Sequence, residues 1–299
     1  MPLILPKPIP AKAELAEENI PVLDGVPEGT DVLDVAVLNI MPNKPVTETQ
    51  LLRLLSVSPL PVRTTWLRPA AHTSKSTPQA YLDEHYQVHA EVADRRFDAL
   101  IVTGAPVEEL AFEEVTYWNE LCGIMDWART HVTSTMYICW GAQAALYHHY
   151  GISKHHLGAK MFGNFATRAV QETSPLLAGY DEEFRVPHSR YTGTQLSDLQ
   201  AESEIEVLAQ GDETGFYIAG RRDGREFYVS GHPEYDRNTL RDQYERDTAK
   251  GLPMHVPPGY YPGDDPTRTP VRNWHAHGRL LYANWLGHYV LGRRPAVTR

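Results

Sequence analysis

A single cysteine lies where an apolar segment meets a run of small residues. Cys139 follows TSTMYI and precedes WGAQAA. A thiol at a junction between a strand and a helix projects from a sharp turn, and the helix N-terminus favours its thiolate form and leaves backbone N–H groups for an oxyanion. That chemistry suits covalent acyl transfer. Most free cysteines are small buried apolar residues, and this stretch alone favours that alternative.

The segment YVSGHPEY contains the base that a nucleophilic thiol requires. His232 and Glu234 follow a predicted strand that ends at Gly231. Side chains i and i+2 of an extended chain point the same way, so Glu234 can accept one imidazole N–H while the other ring nitrogen faces a thiol. A surface turn is the alternative for an isolated His-Pro-Glu. Because both motifs end strands of one predicted sheet, we favour a triad of Cys139, His232 and Glu234.

Alternating strand and helix patterns position these groups. The sequence predicts strands at 34–42, 61–69, 97–106, 133–140, 204–210, 214–224 and 225–235. It predicts helices at 47–57, where Thr47 and Glu48 resemble a capping box, and at 73–86, 115–130, 141–151, 238–251 and 272–292. Such alternation favours an α/β fold with a mainly parallel sheet, helices on both faces, and ligands at the carboxyl ends of the strands. We expect a single domain, 1–299, with about 1–30 as an N-terminal extension.

Composition excludes several classes of function. The 299 residues carry a net charge of −10 without a basic block, so we expect no nucleic-acid partner. No apolar run approaches the roughly 18 residues of a membrane span, so we expect no membrane association and a cytoplasmic location. The two cysteines lack a second pair for zinc, so no metal site and no cofactor are expected. Cys122, inside an amphipathic helix pattern, is interpreted as structural.

Motifs over nearly the whole chain identify a resemblance. NIMPNKPVTETQLLRLL, FDALIVTGAPVEELAFEEVTYW, HVTSTMYICWGAQAALYHHYGI, PHSRYT, SGHPEYD and RNWHAHGRLLYANWLGHYVL occur in that order between about residues 15 and 292. Together they closely resemble the homoserine O-acyltransferase family of the homoserine transsuccinylase type. The resemblance implies a class I glutamine-amidotransferase-like (flavodoxin-like) fold with a nucleophile elbow. It also implies transfer of an acyl group from acyl-coenzyme A to the hydroxyl of L-homoserine in methionine biosynthesis.

The resemblance also implies roles for individual residues. Cys139 becomes the acyl-thioester, His232 the proton acceptor and Glu234 the third member of the triad. The substrate-binding positions of the family fall on Lys160, Ser189, Arg246 and Lys44. On its own pattern, Arg246 would be part of a solvated helix face and Lys160 an ordinary lysine.

Glu108 indicates which acyl donor to expect. Succinyl-specific members resemble TGAPLG, with glycine where this chain has Glu108. A carboxylate beside the acyl group would repel the free carboxylate of succinyl and fill its space, so we expect acetyl-coenzyme A as donor. The alternative is that Glu108 is only a loop charge.

Departures from the family keep other functions open. The chain has MPNK for MPKK, and Ala166 and Thr167 for an acidic and histidine pair, so serine is an alternative acceptor and succinyl-coenzyme A an alternative donor. A glutamine amidotransferase-like hydrolase is less favoured, since its G-x-C-x-G context lacks the first glycine here. The aromatic final helix, with Trp274, Trp285 and Tyr289, is interpreted as core or as the face of a homodimer.

Overall fold

The strands form one 11-stranded sheet in the computed structural model, which describes residues 2–72, 74 and 76–293. In chain order the strands are β1 (Leu3–Ile4), β2 (Val22–Leu23), β3 (Leu33–Leu38), β4 (Val62–Leu67), β5 (Phe97–Val102), β6 (Val132–Ile138), β7 (Lys154–Ala169), β8 (Glu183–Thr194), β9 (Ile205–Gly211), β10 (Gly215–Arg221) and β11 (Glu226–Val229). Their order across the sheet is β2-β1-β4-β3-β5-β6-β11-β10-β9-β7-β8. Pairing is parallel from β2 to β11 and antiparallel from β11 to β8.

Helices cover both faces of the parallel half of this sheet. The α-helices of the described residues are α1 (Ala11–Glu17), α2 (Lys44–Leu55), α3 (Gln79–His85), α4 (Trp118–His131), α5 (Trp140–Tyr150), α6 (Leu196–Ala201), α7 (Thr239–Ala249) and α8 (His275–Asn284). Side chains of β3 alternate between the two cores: Val35 and Val37 pack with α2 and α8, while Ala36 and Leu38 pack with α4 and α5. The predicted α/β fold, with a mainly parallel sheet and helices on both faces, is confirmed.

The start of α2 differs from the prediction. The helix begins at Lys44, three residues before the predicted capping box, because Pro45 presets the dihedral angle of the first turn. Thr47 Oγ1 donates to the carbonyl of Asn43 at 3.1 Å and so lies inside the helix. Glu48 is fully buried and accepts hydrogen bonds from two tyrosine hydroxyls instead of capping the backbone.

The first and last described segments are built into the fold. Strand β1 pairs with β2 on one side and with β4 on the other, so part of the predicted N-terminal extension forms the edge of the sheet. The last helix continues from α8 into a π-helical turn at Trp285–Val290, and Trp274 and Trp285 are buried in the core. These tryptophans are therefore core residues, and the homodimer stays a prediction. No helix in the described part of the chain is long and apolar enough to cross a bilayer.

Candidate active site

Cys139 occupies a sharp turn between β6 and α5. Its backbone angles are φ 52° and ψ −117°, a region that costs a non-glycine residue about 1–3 kcal/mol and persists only where the surroundings impose it. The amide of Cys139 donates to the carbonyl of Val229 at 2.7 Å, which fixes the turn against β11. The side chain is nearly buried, and the first amides of α5, which have no intrahelical acceptor, begin immediately after it. This is the nucleophile elbow that the sequence predicts.

Gly141 allows the elbow helix to approach the neighbouring strand closely. A Cβ at this position would lie 2.7 Å from the carbonyl oxygen of Thr103, which follows β5. Backbone cannot yield cheaply at that distance, so the small residue is required by packing. Gly141, the first residue of the GAQAA run, therefore lets the helix that follows Cys139 pack close to the end of β5.

His232 and Glu234 meet the elbow at the same edge of the sheet. Strand β11 pairs in parallel with β6, with Val229 opposite Ile138, so the segments that follow the two strands leave the sheet side by side. The Nδ1 of His232 lies 2.7 Å from Oε1 of Glu234, and both side chains are buried.

Charge on both sides of the imidazole keeps His232 protonated. Burial lowers the pKa of His232, but the Glu234 carboxylate and a hydrogen-bonded Cys139 thiolate outweigh it and raise the pKa to about 10. The ring of Tyr235 stacks on the imidazole at 4.1 Å between centroids and holds its plane. The structure thus brings Cys139, His232 and Glu234 together as predicted.

Three of the four predicted substrate-binding residues converge beside α7. Lys160 of β7 lies 3.3 Å from one oxygen of Asp247, and Arg246 donates to the other at 2.8 Å. Ser189 of β8 donates to Gln243 Oε1 at 2.9 Å. Burial raises the pKa of Asp247, but Arg246 and Lys160 outweigh it and hold the pKa below its usual value.

Glu108 interacts electrostatically with residues of both this cluster and the triad. It is half-buried in the loop after β5, and its carboxylate accepts the backbone N–H of Tyr191. Burial raises the pKa of Glu108, while His232, Lys160 and Arg190 act electrostatically in the opposite direction. The position predicted to select the acyl donor is therefore surrounded by groups of the candidate site.

Lys44 has a different environment from the other predicted substrate-binding residues. Its ammonium donates to the carbonyls of Asn39 at 2.6 Å and Met41 at 3.3 Å, and its side chain is buried. Burial lowers the pKa of Lys44 to about 8, against the raising effect of Glu48. These contacts do not bring it into the cluster beside α7, and its role in substrate binding stays a prediction.

Arg190 is a site residue that the sequence interpretation missed. Its guanidinium is buried and donates to the carbonyls of Thr192 and Thr214, each at 2.7 Å. Burial lowers the pKa of Arg190, and negative charge on Cys139 and Glu108 opposes that effect. Only its place in a strand, one residue after Ser189, could have drawn attention to it.

Asp247 and Gln243 were also missed. They are four residues apart, so they share one face of α7, and Asp247 is buried although it lies in a charged segment. That i, i+4 spacing was the available signal. Asp247 also fixes the direction of Arg246, because the exposed guanidinium donates to this buried carboxylate.

Comparison with known proteins places the chain in a family. The model of the family described as homoserine O-succinyltransferase (HTS) matches residues 2–296. This chain belongs to the homoserine O-succinyltransferase family. It is 47% identical over 298 residues to a Geobacillus kaustophilus protein named homoserine O-acetyltransferase, with 99% of each sequence covered. It is 49% identical over 298 residues to an Acetivibrio thermocellus protein of the same name, covering 99% of this chain and 98% of the relative.

Solved structures support the fold expected of this family. A glutamine amidotransferase from Thermotoga maritima superposes with a TM-score of 0.52 and 10% sequence identity, covering 87% of this chain and 98% of that one. Identity at that level shows the fold alone. The predicted class I glutamine-amidotransferase-like architecture is confirmed.

Proposed function

We propose that this protein transfers the acetyl group of acetyl-coenzyme A to the hydroxyl of L-homoserine, through an acyl-thioester on Cys139. The observation that carries the proposal is the triad: a cysteine in a constrained elbow, and a buried imidazole whose Nδ1 lies 2.7 Å from Glu234. The names of the full-length relatives support acetyl transfer to homoserine. No cofactor is required, since acetyl-coenzyme A is a substrate.

The first half-reaction is attack of the Cys139 thiolate on the thioester carbonyl. The new C–S bond forms as the carbonyl electrons move onto oxygen, where the first amides of α5 stabilise the oxyanion. Collapse of this intermediate expels the thiolate of coenzyme A, which leaves as the thiol after taking a proton from His232. One thioester replaces another, so the step is nearly balanced in energy and the donor can depart before the acceptor reacts.

The second half-reaction needs His232 as a base. The imidazole takes the proton of the homoserine hydroxyl as its oxygen attacks the acetyl carbonyl, and Glu234 stabilises the resulting imidazolium. The C–S bond then breaks, which releases O-acetyl-L-homoserine and restores the thiolate and imidazolium pair. In the cluster beside α7, we assign the exposed guanidinium of Arg246 to the substrate carboxylate and the carboxylate of Asp247 to its ammonium.

Acetyl selectivity is assigned to the charge of Glu108. Its carboxylate offsets the positive charges of Lys160 and Arg190, so the space beside the acyl group has no spare cation for a succinyl carboxylate. Replacing Glu108 by glycine opens that space and leaves both cations available. Glu108→Gly should therefore lower the acetyl-to-succinyl ratio of kcat/KM at least tenfold, which is about 1.4 kcal/mol.

The test compares acetyl-, butyryl- and succinyl-coenzyme A as donors, with homoserine or serine as acceptor. The matched control is Glu109→Gly, which places glycine in the same loop but removes an exposed carboxylate, 69% accessible, in place of the half-buried one. Gain of butyryl transfer alone indicates lost bulk, whereas gain of succinyl transfer indicates lost charge. Preference of the wild type for succinyl would refute the donor assignment, and preference for serine would refute the acceptor.

Mass measurement of the intact protein tests the covalent step. Incubation with acetyl-coenzyme A alone should add one acetyl group to the wild type and none to Cys139→Ser. Acetylation of the variant at the same rate would remove Cys139 from the mechanism. Release of ammonia from glutamine without acyl transfer would instead support an amidotransferase-like hydrolase.

A further inference from the structure

A second cluster of potential ligands lies at the other end of α5 from Cys139. His148 and His149 end this helix, about 15 Å along its axis from the elbow, and Asp126 faces them from α4. Oδ1 of Asp126 is 2.8 Å from Nε2 of His148 and 4.0 Å from Nδ1 of His149. One atom from each of the three residues lies within 4.8 Å of the others.

The orientation of His149 is set from behind by a buried carboxylate. Its Nε2 lies 3.5 Å from Oε1 of Glu226, and both side chains are almost inaccessible. Glu226 is held in turn by two donated bonds from Arg129, at 3.0 and 2.8 Å. A proton on Nε2 therefore faces a carboxylate, which leaves the lone pair of Nδ1 turned toward Asp126.

This arrangement resembles a carboxylate–histidine–metal relay, in which an acidic group lies behind the second ring nitrogen of a ligand, although His149 Nε2 and Glu226, 3.5 Å apart, do not form a hydrogen bond. The nearly inaccessible ring of His149 therefore offers Nδ1 to an ion beside Asp126.

We propose that Asp126, His148 and His149 bind one divalent transition-metal ion of the zinc class. Two imidazoles and one carboxylate favour such an ion over magnesium or calcium, which prefer oxygen ligands. Bonds of about 2.0–2.1 Å place tetrahedral ligand atoms about 3.3 Å apart, so the 2.8 and 4.0 Å separations from Asp126 need changes of less than an ångström. The ligand atoms of His148 and His149 lie within 4.8 Å of each other and need to approach by up to about 1.5 Å. Asp126 is exposed, which leaves the fourth position open to water.

Metal binding is expected to cross-link α4 and α5. The three ligands come from two helices that pack on the same face of the sheet, and α5 carries the nucleophile at its start. An ion that binds only the folded protein raises its stability in proportion to the logarithm of its concentration. This inference is independent of the proposed acyl transfer. It also differs from the expectation of no metal site, which considered cysteines and not this histidine pair.

The test is zinc titration of the full chain without an affinity tag, by calorimetry and by thermal unfolding. Every protein carries Cys139→Ser, because a thiol beside His232 could bind zinc itself. Asp126→Ala and His148→Ala remove one ligand each from exposed or partly exposed positions. The matched control is Asp181→Ala, since Asp181 forms a comparable 3.0 Å pair with a single histidine, His277.

We expect one equivalent of zinc to bind the parent and raise its melting temperature, with no response to magnesium. Asp126→Ala and His148→Ala should each weaken zinc binding at least tenfold, since loss of even a supporting group costs about 10–100-fold. Asp181→Ala should leave the affinity unchanged. Absence of saturable binding, unchanged affinity in both ligand variants, or equal weakening by Asp181→Ala would each overturn the proposal.

Discussion

The charge of the Cys139 sulfur should control the protonation of His232. Two anions oppose the effect of burial on this imidazole, the carboxylate of Glu234 on one side and the thiolate on the other, and together they raise its pKa to about 10. Acetylation removes the charge of the thiolate and its hydrogen bond but leaves Glu234 in place. We therefore expect the pKa of His232 to fall when the acyl-enzyme forms. Cys139→Ser reproduces that loss of charge in a stable protein.

The size of the fall decides whether His232 can act as a base. An opposite charge within about 4–6 Å shifts a pKa by about 1–3 units, which is about 1.4–4 kcal/mol. The pKa of His232 should then fall below about 10. A fall at the low end of that range already raises the neutral fraction of His232 at pH 8 about tenfold. Acylation thus converts a proton donor into the base that homoserine requires.

The measurement is NMR titration of the His232 ring in the wild type and in Cys139→Ser, with the resonance assigned by its loss in His232→Gln. The control is Cys122→Ser, which removes a thiol in α4 and should leave the titration unchanged. A midpoint in Cys139→Ser equal to that of the wild type would refute the reasoning. A fall in both serine variants would attribute the effect to altered packing and not to the thiolate.

Three other outcomes are expected. Cys122→Ala should lower the free energy of unfolding by about 1 kcal/mol, measured by urea denaturation, with unchanged turnover per folded molecule, because Cys122 is half-buried in α4. Gly141→Ala should destabilise the fold by about 1–3 kcal/mol and slow acylation in a single-turnover assay, since the new methyl group meets the Thr103 carbonyl at 2.7 Å. The folded pKa of His232, about 10, exceeds its ordinary value of 6.5, so its stabilisation should be complete below about pH 6.5 and be lost as pH rises through 10. Urea denaturation across this range should show a steeper decline for the wild type than for Glu234→Gln.

The parallel half of the fold could be predicted because its residues are buried on both faces. Strands such as β5 and β6 are short segments of mostly buried residues, and each precedes a helix. The same pattern located Cys139 and His232, because both follow such strands and parallel strands end at one edge. Pairing of Val229 with Ile138 could not be predicted, since register depends on contacts between distant segments.

The antiparallel ribbon of β7 and β8 could not be predicted from an alternation of apolar and polar residues. The first half of β7, KHHLGAKM, is largely exposed, so it lacks the apolar face that marks a strand. Its pairing with β8 also shifts register between His156 and Met161, which breaks the two-residue period. Because Lys160 and Ser189 lie on this ribbon, local sequence patterns could not predict that they approach α7.

The proposed choice of acyl donor by Glu108 depends on the charges of the site. Lys160 is partly compensated by Asp247, whereas the buried guanidinium of Arg190 is hydrogen-bonded only to carbonyls among the contacts that the described residues make. A buried cation without a paired carboxylate is costly, and negative charge on Glu108 and Cys139 is what offsets it here. A succinyl carboxylate could supply the same compensation if Glu108 were absent. We therefore expect Glu108 and a succinyl group to act as alternative counterions for Arg190. Arg190→Met should then reduce succinyl transfer by Glu108→Gly while leaving butyryl transfer by that variant less affected. Equal loss of both activities would show that Arg190 supports the elbow and not the choice of donor.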